Sequence, residues 1–187
     1  MEITIIETAG FKSAFKAMRL PLRSSNKSDS NFFIVSNLFY RKISSNSTIY
    51  LGDQDAALMK KLINAGDEHS KALRGIEAYL EITAPLYWWI EADTYKIGCD
   101  CLSSSSSMHC ELKGLKDEEL QKEKGKICGN YEYTKIIKIN YQAARRLYFQ
   151  RRFHRLPEWR YLCRYLLENL PYFEELCIDA LPNNNTE

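Results

Sequence analysis

The stretch Gly75–Trp89, GIEAYLEITAPLYWW, decides the fold. Ile76, Ala78, Leu80 and Ile82 alternate with Glu77, Tyr79, Glu81 and Thr83, the period of a strand with one buried and one wet face. Pro85 then suits the first turn of a helix, and LYWWIEADTYKI is predicted to run helically as far as Gly98. Successive helical positions point about 100 degrees apart, so Tyr87, Trp88 and Trp89 do not all face one core, and one ring is expected at a subunit contact.

Upstream, LGDQDAALMKKLINAG reads as a helix with Asp53 as its cap, Leu58, Met59, Leu62 and Ile63 as its apolar stripe and Gly66 as its stop. EITII is a first strand, and GFKSAFKAMRL is a helix carrying Phe11, Phe15 and Met18 that stops before Pro21. PLRSSNKSDSN is a polar loop too long for a plain connection, hence mobile or functional. Downstream, five serines, Ser103 to Ser107, precede a short helix LKDEELQKEK and a strand YTKIIKI. Asn140 opens the helical stretch YQAARRLYFQRRFHR, and Leu156-Pro157 breaks it before EWRYLCRYLLENL, whose core stripe is Trp159, Leu162, Cys163, Leu166 and Leu170. The expected class is α+β, a small mixed or antiparallel sheet covered by helices, with residues 1–178 as one domain and 179–187 as a flexible tail.

The 187 residues, 45% hydrophobic and 27% charged, provide for one substantial core. No basic n-region followed by an apolar h-region opens the chain, and charges interrupt every long apolar window. A cytoplasmic protein with no membrane contact and six reduced cysteines is expected. The net charge of +2 gives no global drive toward nucleic acid, but RRLYFQRRFHR concentrates Arg145, Arg146, Arg151, Arg152, His154 and Arg155.

Cys99, Cys101, His109 and Cys110 have the chemistry of zinc ligands, but a CxC followed by an adjacent His-Cys pair matches no common tetrahedral knuckle, so no metal is assigned. The serine tract reads either as a flexible linker or as a cradle of hydroxyls and backbone N–H groups for a phosphate beside Lys96. The basic helix reads either as a solvated face over a core of Leu147 and Phe149, or as a nucleic-acid surface on which Tyr148, Phe149 and Phe153 stack.

From Thr48 to about Leu170 the chain resembles the flavin-dependent thymidylate synthases. DQDAALMKKLINAGDEH is similar to the helix leading into that family's SPFEH turn, with Glu68 and His69 on the EH. GIEAYLEITAPLYWW is similar to the strand and AP entry of its signature helix. NYQAARRLYFQRRFHRLPEWRYLCRYLLENL is similar to its closing helix pair, with Asn140 (after a shift of one residue), Arg152 and Trp159 on the N, R and W. Thr94, Tyr95 and Lys96 fall on the family's R-H-R, the serine that follows is Ser104, and Ser107-Met108-His109 stands where the family has S-G-R. Neither threonine nor lysine reproduces the five-donor fork of arginine.

The resemblance implies C5 alkylation of dUMP or a related pyrimidine nucleotide, with FAD, NADPH and methylenetetrahydrofolate, in a homotetramer. Arg152 would be the catalytic, pyrimidine-binding arginine. His69, Tyr95, Lys96 and Asn140 would contact FAD, and Ser104 and Ser107 the nucleotide. The altered signature keeps two alternatives open: a catalytically inactive relative, of phage or mobile-element type, that binds a nucleotide or a protein partner, and a nucleic-acid binder acting through the arginine-rich helix.

Overall fold

The structure, a computed structural model, describes residues 1–36 and 43–178. Four antiparallel strands form the main sheet in the order β1 (Glu2–Ala9), β4 (Glu77–Pro85), β6 (Glu132–Asn140), β5 (Cys99–Ser104). A separate two-stranded ribbon pairs β2 (Asn31–Ser36) with β3 (Ile43–Tyr50). The helices are α1 (Phe11–Arg19), α2 (Asp53–Asn64), α3 (Leu86–Ala92), α4 (Asp117–Gly125), α5 (Tyr141–Arg151) and α6 (Pro157–Asn169). The architecture is therefore α+β with an antiparallel sheet.

The alternation in β4 sets the register. Leu80 and Ile82 lie opposite Ile5 and Ile3 of β1, and Leu80 lies opposite Ile137 of β6. These residues share a core with Phe11, Phe15, Met59, Trp88, Trp89, Leu147, Trp159, Leu162 and Leu166. The other face carries Glu81, Asp100 and the Thr83–Thr134 hydroxyl pair, as a half-solvated antiparallel sheet should.

Several expectations are corrected. The signature helix stops at Ala92, not Gly98: the Thr94 hydroxyl donates to the Glu91 carbonyl at 2.7 Å and competes with the helical ladder. Gly98 then takes φ of 78°, a left-handed turn in which a Cβ would fall 2.5 Å from Asn140 Nδ2. The serine tract is not one loop, since Ser103 and Ser104 belong to edge strand β5 and only Ser105 onward leaves the sheet. The stretch from Asn140 to Arg155 does not continue as one helix: α5 ends at Arg151, six residues before Pro157 opens α6.

The long polar segment after α1 is tied down. Asp55, fully buried on α2, accepts from Arg19, from Ser28 Oγ at 2.7 Å and from the Ser30 amide at 3.1 Å. Asp53 does not cap α2. Asp29 does, accepting from the amides of Gln54 and Asp55 at 2.9 and 3.0 Å, the orphan donors of a helix N-terminus. Residues 179–187, expected as a tail, lie outside the described residues.

Candidate functional site

Beneath α3 and α6 the buried side of the sheet opens into a cavity of about 510 Å³. Its floor is Leu80, Ile82, Ile137, Ile139, Cys99 and Cys101, and its walls are Trp88, Trp89, Tyr95, Trp159 and Leu162. Such a volume with mostly apolar walls suits a small planar ligand. The ring centroids of Trp88 and Trp89, and those of Trp88 and Trp159, are 4.8 Å apart, so the wall is one aromatic cluster.

Charged groups frame the mouth, and most are already committed. Lys135 donates to both oxygens of Asp93, at 2.9 and 2.7 Å, and its ammonium lies 4.5 Å from the Trp89 ring centroid. Arg151 pairs with Glu91 at 2.6 Å, donates to the Tyr95 hydroxyl, and places its guanidinium 4.9 Å from the Trp159 ring. His154 Nδ1 accepts from the Leu156 amide at 3.2 Å, an arrangement that leaves its proton on Nε2, 3.5 Å from Glu91. Lys96 is exposed and makes no ion pair among the described residues. Burial, helped by Asp100, pushes the Cys99 thiol up to about 11, so it stays protonated at neutral pH and is no nucleophile.

Only two of the expected site residues, Tyr95 and Lys96, line this cavity. His69 lies in an exposed turn, 3.6 Å from Glu68. Asn140 is the N-cap of α5, its Oδ1 accepting from the Ala143 amide at 2.9 Å, so its side chain is consumed by the fold. Ser104 is exposed and donates to the Ser105 carbonyl. Ser107 is buried and accepts from Lys124 Nζ at 2.7 Å, outside the cavity. Arg152 is also outside it, its guanidinium 4.9 Å from the rings of both Phe149 and Phe153. No group of three metal-ligating side chains forms among the described residues, whose six cysteines are all free.

Sequence reasoning misses Arg151, Glu91, Asp93 and Lys135. For Lys135 the signal was present: it shares strand parity with Tyr133, Ile137 and Ile139, which puts a lysine on the apolar face.

No protein-family model and no curated protein sequence matches the chain. Solved structures do. The flavin-dependent thymidylate synthase ThyX from Helicobacter pylori, complexed with FAD and dUMP, superposes with a TM-score of 0.71 at 17% identity, over 97% of this chain and 100% of its own. A second structure of ThyX from Helicobacter pylori with FAD and dUMP gives the same TM-score, 0.71, and identity, 17%, over 97% of this chain and 99% of its own. The chain therefore has the fold of these enzymes from end to end.

Proposed function

We propose that this protein keeps the ThyX fold as a nucleotide-binding relative repurposed away from synthesis: it takes a pyrimidine nucleotide in the cavity, base against the tryptophan cluster and phosphate toward Lys96. The supporting observation is the state of the charges. Lys135 on the wall is held by Asp93, and Arg151, behind Tyr95 and Trp159, is held by Glu91, so the lining offers an aromatic surface and one uncommitted ammonium, the needs of a flat ring with a single anionic group. Stacking of such a ring contributes about 1–3 kcal/mol.

FAD fits less well on these residues. Its ring system matches the aromatic wall, but its pyrophosphate would meet Lys96 alone, with the carboxylate of Asp93 also on the lining. The residues of this chain do not fit the whole cofactor, and no step is drawn through it.

A second reading is FAD-dependent C5 alkylation of dUMP or a related nucleotide, with NADPH and methylenetetrahydrofolate as co-substrates. The extent of the likeness favours it, since structures that hold FAD and dUMP superpose on 97% of the chain. In that reading a second copy of the chain would supply the missing cations.

The absorption spectrum of the purified protein, incubated with FAD and desalted, separates the two. A colourless protein that binds dUMP in calorimetry, with Lys96→Ala costing about 1 kcal/mol as an exposed ion pair does, supports the first reading. Retained flavin absorbance supports the second. Absence of dUMP binding removes the first.

A further inference from the structure

The outer face of α5 and α6 carries a charge that the cavity does not use. Between Arg145 and Arg164 the sequence holds seven arginines and one glutamate, a net +6 in a chain whose total is +2, so the remainder is net −4. Of the seven, only Arg151 is paired with a carboxylate among the described residues. Glu158, the single acid, accepts from the Tyr87 hydroxyl.

These arginines are strung through aromatic rings into a continuous strip. The Arg145 guanidinium lies 5.1 Å from the Phe149 ring, and Arg152 lies 4.9 Å from both Phe149 and Phe153. Beyond the corner, Arg160 donates to the carbonyls of His154 and Arg155 at 2.7 and 2.9 Å, which holds its guanidinium against the α5–α6 turn. Arg155 and Arg164 are exposed beside it. Phe153 is 84% exposed, a costly place for a ring that only fills space, and Tyr161 is 43% exposed on the first turns of α6.

We infer that this strip binds single-stranded nucleic acid. Arg152, Arg155 and Arg164 make no side-chain hydrogen bond or carboxylate pair among the described residues, and Arg145 and Arg160, whose Nε and Nη1 donate to backbone carbonyls, keep their remaining N–H groups for a phosphate, so the five track a backbone. An exposed phenylalanine offers a face on which an unpaired base stacks, which a duplex has no base free to use. The strip shares no residue with the cavity, which takes Leu147, Trp159, Leu162 and Leu166 from the inner faces of the same helices.

The test is the anisotropy of a dye-labelled oligothymidylate titrated with the full chain across a salt series. Binding is expected to weaken with salt at a log–log slope near −3, about −0.7 for each of four or five phosphates neutralised on a single strand. Phe153→Ala should weaken it about tenfold at unchanged slope. The double substitution Arg152→Gln, Arg155→Gln should make the slope shallower by about 1.4. Both sites are at the surface, so unchanged circular dichroism confirms that the variants fold. Saturating dUMP should leave the strand in place. No binding at low salt, or no effect of Phe153→Ala, overturns the inference. So does displacement of the strand by dUMP, which would merge the strip with the nucleotide site, or by phosphatidylserine vesicles, which would make it a membrane contact.

Discussion

Arg19, Ser28 and Ser30 all direct hydrogen bonds at one carboxylate, that of Asp55. Burial works to raise its pKa, but the hydrogen bonds from Ser28, Ser30 and Arg19 outweigh that and hold it below the ordinary aspartate value. A group with a depressed folded pKa contributes stability that is present above the unfolded value, about 3.9, and is lost as pH falls through the folded one. Asp55→Asn should cost about 3 kcal/mol at neutral pH, because it leaves the buried Arg19 without a counter-charge. Urea unfolding at neutral pH and near pH 3 checks this, with the gap between the two proteins narrowing in acid. At the same scale lies the choice between two neighbouring arginines at the end of α5. Adjacent helical positions diverge by about 100 degrees, so Arg151 reaches Tyr95 and Trp159 of the cavity wall from behind while Arg152 lies on the outer strip. Arg152→Ala should therefore leave dUMP affinity unchanged in calorimetry, where Lys96→Ala lowers it.

Strands and helices were legible wherever a period was. The alternation in β4 predicts its buried face residue by residue, and the stripe of α6 predicts Trp159, Leu162, Cys163 and Leu166, all of which are buried. β5 was not legible as a strand, because an edge strand with exposed residues needs no apolar alternation, and CDCLSS shows none. In β3, ISSNSTIY offers serines where a buried face would show apolar residues. The cap of α2 was illegible for a different reason: local rules look for it next to the helix, whereas Asp29 reaches it from 25 positions before Gln54. Asp29→Ala should destabilise the protein by about 1–2 kcal/mol, read as a lower urea midpoint at unchanged slope, while Asp53→Ala should have much less effect.

For the whole molecule, end-to-end likeness to ThyX establishes the fold. Fold class was within reach of the sequence because it follows from the order of strands and helices. The cavity was not, because its wall joins residues from Leu80 to Leu166 that only the completed packing brings together. Tyr87, the one exposed ring of its aromatic triplet, and Leu102 and Ile6, exposed on the sheet's two outer strands, are apolar groups at the surface of a single chain. The tetramer implied by the resemblance would cover such groups. Light scattering at micromolar concentration should give about four times 21.8 kDa, and a mass of one chain would remove the expectation.

The three tryptophans of the chain are Trp88, Trp89 and Trp159, and Trp88 packs against both of the others. Indoles at this separation couple their transition dipoles, so the protein carries one optical chromophore rather than three independent ones. Its near-ultraviolet dichroism should show an exciton pair that vanishes when this corner loosens, even while far-ultraviolet helicity persists. A gap between the two melting curves would then separate opening of the tryptophan corner from loss of the sheet, and their coincidence would mean that the chain unfolds as a single cooperative unit.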